Sequence, residues 1–213
     1  MSDLKKAYEL EMSKAKEILL EMPWDDPAFY AEWMAQTYFY CSYTTRIIGL
    51  AGALFPVSRD KLHGRFFDHA REEKNHERII LNDLRAMGKT IDQYSCFSST
   101  AALYRTQYYW IQNVDPMSVY GYFLYLEGIA VEHGSAIVEA VRKGIPEKSL
   151  KFLKVHVEED VGHMNDHFKI LADVTPEETE MIRENMERTA DYYTALLKEA
   201  AEKSGSRRLR KSA

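Results

Sequence analysis

The chain has 213 residues, of which 46% are apolar, and a formal net charge of −5 at pH 7. This size and composition predict one globular domain with a sizeable core and exclude a chain-wide basic surface for nucleic acid. The only cysteines are Cys41 and Cys96, which excludes a disulfide framework and makes a reducing cytoplasm the predicted compartment.

No segment of the sequence predicts a signal peptide or a membrane-spanning helix. The N-terminus carries charges and lacks the apolar segment of a signal peptide, so none is predicted. The longest apolar stretch, Ile47 to Val57, is too short to span a bilayer. Residues 204–213 contain four cations among serine and glycine, and they are expected to form a disordered basic tail.

Helix start and stop signals divide the rest of the chain into segments of helical length. Pro27, Pro116 and Pro176 each follow an Asp or Thr of N-cap type, and Gly88 and Gly144 lie where helices should end. No sustained period-2 alternation predicts a sheet. Long helices with short connections predict a single all-α bundle over residues 1–203, with helices at about 2–22, 27–54, 58–87, 98–113, 116–143, 146–172 and 176–203.

Metal-type side chains interrupt the apolar stripe of the helix predicted over 58–87. The stripe runs through Phe66, His69, Glu73, His76 and Ile80 at helical spacing. Glu73 and His76 form a Glu-x-x-His pair, a spacing that allows a carboxylate and an imidazole to bind one metal. Alone the pair is weak evidence, because charged helices produce it by chance, but its apolar neighbours raise its value.

Glu127 lies in the middle of the apolar helix predicted over 116–143. Burying a carboxylate in such a run is costly unless it is paired or bound to a metal. The alternative is a buried glutamate that bonds to a neighbouring arginine or tyrosine.

The helix predicted over 146–172 carries the sharpest motif of the chain. His156, Asp160 and His163 follow the i, i+4, i+7 spacing and therefore share one face, which continues to His167. Two imidazoles and a carboxylate on one face are a ready transition-metal site. The alternative is a polar surface helix that happens to contain histidines.

Taken together, the three helices supply three imidazoles and three carboxylates, more than one metal needs. Two metals that share carboxylates use the set well, and mixed nitrogen and oxygen donors without thiolate favour iron or manganese over structural zinc. The predicted metal ligands are Glu73, His76, Glu127, His156, Asp160 and His163. Residues that could support the ligands without binding metal are His69, His167, His133 and Tyr120, although His133 is better explained as a core residue.

In this order on an all-helical chain, the motifs Glu-x-x-His, Leu-Glu-Gly and His-x-x-x-Asp-x-x-His resemble those of the haem-oxygenase-like di-iron oxidases and oxygenases. The resemblance covers the chain from about Asp26 to Ala172. It implies a seven-helix haem-oxygenase-like bundle, two Fe²⁺ ions and O₂ as co-substrate. Members of this family include alkene-forming fatty-acid decarboxylases, amino-acid chain-cleaving oxidases, N-oxygenases and a para-aminobenzoate-forming protein related to a chlamydial one.

Carried over residue by residue, the resemblance implies that one iron binds Glu73 and His76 and the second binds His156, Asp160 and His163. Glu127 is then the bridging candidate, and Glu127 and His156 are the catalytic candidates. One departure concerns the first glutamate, which some members place seven residues before the histidine. That position is occupied here by His69, and the Glu-x-x-His variant is also known in the family.

Other functions stay open beside this oxidoreductase hypothesis. A haem oxygenase fits worse because no histidine precedes His63, and a thiaminase-like relative fits worse because neither cysteine lies in the later helices. A ferritin-like di-iron protein would use Glu32 and leave His156 unused. A metal-free binding module would use the polar stripes as a hydrogen-bond network. The expected partner is a small carboxylate-type molecule, either a fatty acid or, if Arg46 or Arg105 lies near the metals, an amino acid; a homodimer is the default assembly.

Overall fold

The computed structural model of the chain describes residues 3–205, and these residues form helices without any strand. Short turns and 3₁₀ segments connect the helices. The eight α-helices are α1 (Asp3–Glu21), α2 (Pro27–Leu54), α3 (Asp60–Glu72), α4 (His76–Ala86), α5 (Ser98–Asn113), α6 (Tyr120–Val141), α7 (Lys151–Ile170) and α8 (Pro176–Lys203). The predicted all-α bundle is therefore confirmed. Of the predicted basic tail, residues 206–213 lie outside the described part of the chain.

Capping interactions explain why α2 and α8 begin where the sequence predicted, whereas the helices predicted from 116 and 146 begin later, at Tyr120 and Lys151, after short 3₁₀ segments. The Asp26 carboxylate accepts a hydrogen bond of 2.7 Å from the Ala28 amide at the start of α2. Thr175 and Glu178 form a reciprocal capping box at the start of α8, with distances of 2.9 and 3.2 Å. Such contacts satisfy amide groups that have no partner within the helix.

The helix predicted over 58–87 is interrupted in its middle. α3 ends at Glu72, α4 begins at His76, and Asn75 between them has a positive φ of 75°. Asparagine is one of the few residues that adopts this left-handed conformation readily. Counted as the two halves of one interrupted helix, α3 and α4 complete the expected seven-helix bundle.

α2 occupies the interior of the bundle and packs against α3, α4, α5 and α8. Its side chains Phe29, Tyr30, Met34 and Ile47 are fully buried. α6 packs between α7 and α8. Because α3, α4, α6 and α7 surround a common interior space, side chains on their inward faces can meet there.

The first turn of α7 is held by a residue of α4. The Asp83 carboxylate, which is buried, accepts a hydrogen bond of 2.8 Å from the Phe152 amide. This contact fixes the position of the helix that carries the His156, Asp160 and His163 motif. Within residues 3–205, no helix combines the length and apolar character that crossing a membrane requires.

Candidate metal centre

The structure brings all six predicted ligands together inside the bundle. α6 contributes Glu127, α7 contributes three residues, and the α3–α4 interruption contributes Glu73 and His76. Five of the six side chains are buried and His156 is half-buried. Carboxylates and imidazoles from three parts of the sequence thus meet where an apolar core would otherwise form.

Glu73, His76 and His156 form the first group of potential ligands. Each offers a donor atom, and the three atoms lie within 4.8 Å of one another. Glu73 Oε2 is 3.0 Å from His76 Nδ1. His156 Nδ1 is 2.9 Å from the carbonyl oxygen of Phe152, which leaves Nε2 as the nitrogen free to bind a metal. A backbone carbonyl that orients the ring in this way is the usual support for a metal-binding histidine.

Glu127, Asp160 and His163 form a second group of potential ligands, whose donor atoms also lie within 4.8 Å of one another. His163 Nδ1 lies 3.3 Å from Asp160 Oδ1 and 3.7 Å from Glu127 Oε2. It is also 3.8 Å from Glu73 Oε1, so this imidazole stands between the two groups.

The structure places His69 and His167 deeper in the cluster than their sequence positions indicated. His167 Nε2 is 2.9 Å from Glu127 Oε2, and His69 Nε2 is 3.6 Å from Glu127 Oε1. His69 Nε2 is also 3.7 Å from Glu73 Oε1. Both histidines are buried and directly adjacent to the predicted ligands.

The other two supporting candidates have different positions. The Tyr120 ring packs edge-on against the His167 ring, with 5.3 Å between the centroids. His133 faces α1, where its Nε2 is 2.8 Å from the carbonyl oxygen of Met12, and it belongs to none of the ligand groups within residues 3–205. Glu32, the residue that a ferritin-like site would need, instead accepts a hydrogen bond of 2.8 Å from Gln36.

Burial and neighbouring charges separate the pKa values of the carboxylates. Burial raises the pKa of Glu127 to about 7, against a smaller lowering by His69 and His163. Burial likewise raises the pKa of Asp160 to about 6. Burial would raise the pKa of Glu73 as well, but the imidazoles of His69 and His76 beside it hold that pKa well below its usual range. One carboxylate of the metal-free cluster is therefore firmly ionised while two titrate near neutral pH.

The imidazoles differ in the same way. Burial lowers the pKa of His167 to about 3, so this ring is neutral and its nitrogen lone pair is available. Burial also acts to lower the pKa of His163, but the Asp160 carboxylate beside it raises the pKa to about 9.

Several polar atoms of the cluster are buried without a hydrogen bond of acceptable geometry, although His76 Nδ1 and His163 Nδ1 each have a carboxylate oxygen at 3.0 and 3.3 Å. A buried polar atom without a partner costs about 1–3 kcal/mol, and native proteins contain few of them. Five such atoms occur here within one small volume: His69 Nε2, His76 Nδ1, Asp160 Oδ1, His163 Nδ1 and His167 Nδ1. Cations bound at the centre would satisfy donor atoms of this kind, and the mixed nitrogen and oxygen set fits iron or manganese.

A cavity of about 100 Å³ borders the cluster. Glu73, Glu127, His156 and Asp160 form its polar side. Its remaining wall consists mainly of aromatic and aliphatic side chains from α2, α6, α7 and α8, among them Trp33, Tyr40, Tyr122, Phe152 and Tyr193. No lysine or arginine of residues 3–205 lines it.

Solved structures share this fold over nearly the whole chain. A domain of unknown function with a haem-oxygenase-like fold from Shewanella denitrificans is 21% identical, with a TM-score of 0.86 and coverage of 100% of this chain and 97% of that chain. A TenA homologue from Pseudomonas syringae is 14% identical, with a TM-score of 0.77 and coverage of 94% and 93%. A CADD-like protein of unknown function from Nostoc punctiforme is 17% identical, with a TM-score of 0.64 and coverage of 85% and 82%.

These similarities establish the haem-oxygenase-like fold. No curated protein shows significant sequence similarity to the chain. The sequence profile of the haem-oxygenase-like family of iron-containing redox enzymes matches residues 31–194. That range contains the whole cluster and its cavity. The chain therefore belongs to the family of iron-containing redox enzymes with the haem-oxygenase-like fold.

Proposed function

We propose that the protein is a non-haem di-iron oxidase or oxygenase that uses O₂ to oxidise a small, largely apolar molecule. The observation that carries the proposal is the convergence of six ligand-type side chains beside an apolar cavity. Membership of the iron-containing redox family supports iron over other metals.

The proposed ligands are the six residues predicted from sequence: Glu73, His76, Glu127, His156, Asp160 and His163. Iron bound there would supply the electrons and open coordination positions that O₂ activation requires. The protein contributes a preorganised set of donors and an apolar wall that excludes water. Glu127 and His156 remain the proposed catalytic residues, and both line the cavity together with Glu73 and Asp160.

The cavity wall favours a fatty-acid-like substrate over an amino acid. Arg46 and Arg105 are both exposed and lie over the rings of Tyr43 and Tyr104, at 6.0 and 5.6 Å from the ring centroids. Neither lines the cavity, so no guanidinium is placed to pair with a substrate carboxylate. An alkyl chain would contact the aromatic wall, and a carboxylate could meet the metals.

The alternatives have less support. Glu32 is bonded to Gln36 instead of joining the cluster, which weighs against a ferritin-like site. The five buried atoms without partners weigh against a metal-free hydrogen-bond network. Cys41 lines the cavity, but burial and the nearby Glu73 carboxylate raise the pKa of its thiol, which disfavours thiolate chemistry of a thiaminase-like kind.

An anaerobic Fe(II) titration followed by exposure to O₂ tests the proposal. We expect an iron-dependent change in the optical spectrum together with O₂ consumption. His156→Ala should reduce iron binding and O₂ consumption, whereas His133→Ala, which alters a histidine outside the cluster, should behave like the unmodified protein. An iron-loaded protein that shows no spectral response to O₂ would refute the proposed activity.

A further inference from the structure

The cluster contains two sets of ligands that share no residue. The first, which we call the cavity trio, consists of Glu73, His76 and His156. The second, the inner trio, consists of His69, Glu127 and His167. Each set has two imidazoles and one carboxylate whose donor atoms lie within 4.8 Å of one another. Two histidines and one carboxylate are the donor set that non-haem Fe(II) oxygenases use.

The spacing within the inner trio fits an ion. With metal–ligand bonds of about 2.0–2.2 Å, donor atoms at octahedral or tetrahedral angles lie roughly 3.0–3.5 Å apart. His167 Nε2 is 2.9 Å from Glu127 Oε2, and His69 Nε2 is 3.6 Å from Glu127 Oε1. Both distances to Glu127 are therefore within a few tenths of an ångström of that range, and the donor atoms of all three residues lie within 4.8 Å of one another.

The environment of His69 supports the same interpretation. Its side chain is only 4% exposed, and its Nε2 has no hydrogen-bond partner. This nitrogen lies 3.6 Å from Glu127 Oε1 and 3.7 Å from Glu73 Oε1, too far for a hydrogen bond to either. A ring nitrogen held between two carboxylates at this distance is arranged like a metal ligand.

Aromatic side chains close the inner trio from the other side. The Phe123 ring stacks on the His167 ring, with centroids 5.4 Å apart and planes at 17°, and it meets the His69 ring edge-on at 5.1 Å. These contacts fix both imidazoles. Of the inner trio only Glu127 reaches the cavity, whereas Glu73 and His156 of the cavity trio both line it.

We propose that His69 and His167 are metal ligands, and that the inner trio binds one divalent first-row transition metal while the cavity trio binds another. This assignment rests on the proposed metal-dependent function. His163 forms a potential ligand group with His69 and Glu73, one from each trio, and Asp160 forms one with Glu127 and His163. An ion held by the cavity trio would lie beside the cavity that Glu73 and His156 line, whereas of the inner trio only Glu127 reaches that cavity.

Co(II) binding to the full chain tests this assignment without any turnover. The variants are His69→Gln and His167→Gln, because glutamine can still form hydrogen bonds but is a poor ligand. His133→Gln is the matched control, since His133 is a half-buried histidine outside the cluster. Bound cobalt is counted by elemental analysis after anaerobic dialysis. Proton NMR of ¹⁵N-histidine-labelled protein then identifies imidazoles whose exchangeable ring protons are strongly shifted by bound Co(II).

We expect the unmodified protein and His133→Gln to bind two Co(II) per chain, and His69→Gln and His167→Gln to bind one. His69→Gln combined with His76→Gln should bind none. The inference is overturned if both single variants keep two cobalt ions and their full set of shifted protons. In that case, a loss of affinity of about 10–100-fold alone would indicate support through hydrogen bonds.

Two further results keep the assignment testable. If the variants do not fold, shifted ring protons from His69 and His167 in the unmodified protein support the assignment, and their absence overturns it. If two cobalt ions bind as described but the iron form does not react with O₂, the proposed function fails and the inner trio stands. A chain that binds no metal overturns both.

Discussion

Replacing Gly134 with alanine should push α6 and α7 apart beside the candidate metal centre. A Cβ at this position would lie 2.4 Å from Val157 Cγ2, about 1 Å inside the 3.4 Å limit of ordinary contact. Val157 is β-branched, and a helix leaves such a side chain essentially one χ1 conformation. The methyl group therefore cannot turn away freely.

The change in the free energy of unfolding that Gly134→Ala causes depends on which side chain occupies position 157. Overpacking of this kind costs about 1–3 kcal/mol, whereas replacing glycine with alanine inside a helix gains about 1 kcal/mol. Gly134→Ala should therefore lower the free energy of unfolding by up to about 2 kcal/mol. In a Val157→Ala background, the nearest remaining atom is the Cβ of residue 157 at 3.7 Å, an ordinary contact. The same substitution should there raise the free energy of unfolding by about 1 kcal/mol.

Urea unfolding of the two single variants and the double variant measures this reversal of sign as a double-mutant cycle. Gly162→Ala on α7 is the matched control. A Cβ there would meet no atom within 4 Å, so it should stabilise both backgrounds equally. If Gly134→Ala has the same effect with and without the Val157 side chain, the close approach of α6 and α7 is not what requires glycine.

Three further predictions concern the interior. The metal-free protein should lose stability as pH rises from about 4.5 to 7, because burial raises the pKa of Glu127 from 4.5 to about 7 and the fold therefore favours its protonated form. Urea unfolding at several pH values should show that the free energy of unfolding of Glu127→Gln falls less steeply with pH than that of the unmodified protein. An equal dependence on pH in the two proteins contradicts the assignment. Gly121→Ala would place a Cβ 2.4 Å from the backbone oxygen of Ile182, so thermal unfolding should show a loss of about 1–3 kcal/mol, and an unchanged melting temperature contradicts the close α6–α8 contact. Tyr193→Phe removes the oxygen that accepts a hydrogen bond of 3.0 Å from the Trp33 indole N–H. Denaturant unfolding should show that the free energy of unfolding falls by about 1–3 kcal/mol, with metal binding unchanged. An unchanged free energy of unfolding would show that this hydrogen bond does not stabilise the fold.

Most of the fold could be predicted because helix ends have local chemical signals. Asp26, Thr175 and Glu178 cap helices as their positions in the sequence indicated. The interruption between α3 and α4 was not predicted. The periodicity of Glu73, His76 and Ile80 continues through it, and its only local signal is Asn75, a residue that also occurs within regular helices.

Helical periodicity predicted those residues of the candidate site that share one face of a single helix. Helical spacing identified Glu127 and the face of α7, and the structure brings these residues together. The same spacing passes through His69 and His167, but each lies one turn beyond the quoted motifs. Their proximity to Glu127 depends on how α3 and α7 pack against α6, which spacing within one helix cannot show.

The cavity was not predictable in the same way. Its wall includes Trp33, Tyr40 and Thr44 of α2. α2 is apolar on almost every face because neighbouring helices surround it, so its sequence has no polar side that would indicate which residues line a cavity.

The interruption after α3 joins Glu73 to His76 through a turn in place of continuous α-helix. Their separation is then set by this turn, which contains Lys74 and Asn75, and by the packing of α3 and α4 on α2. An ion bound to both side chains would restrain this turn. α4 in turn holds the first turn of α7 through Asp83 and the Phe152 amide. The proposed metal would thereby be coupled to the local stability of both helices, and we expect amide hydrogen exchange near Asn75 to be the first to accelerate when the metal is removed.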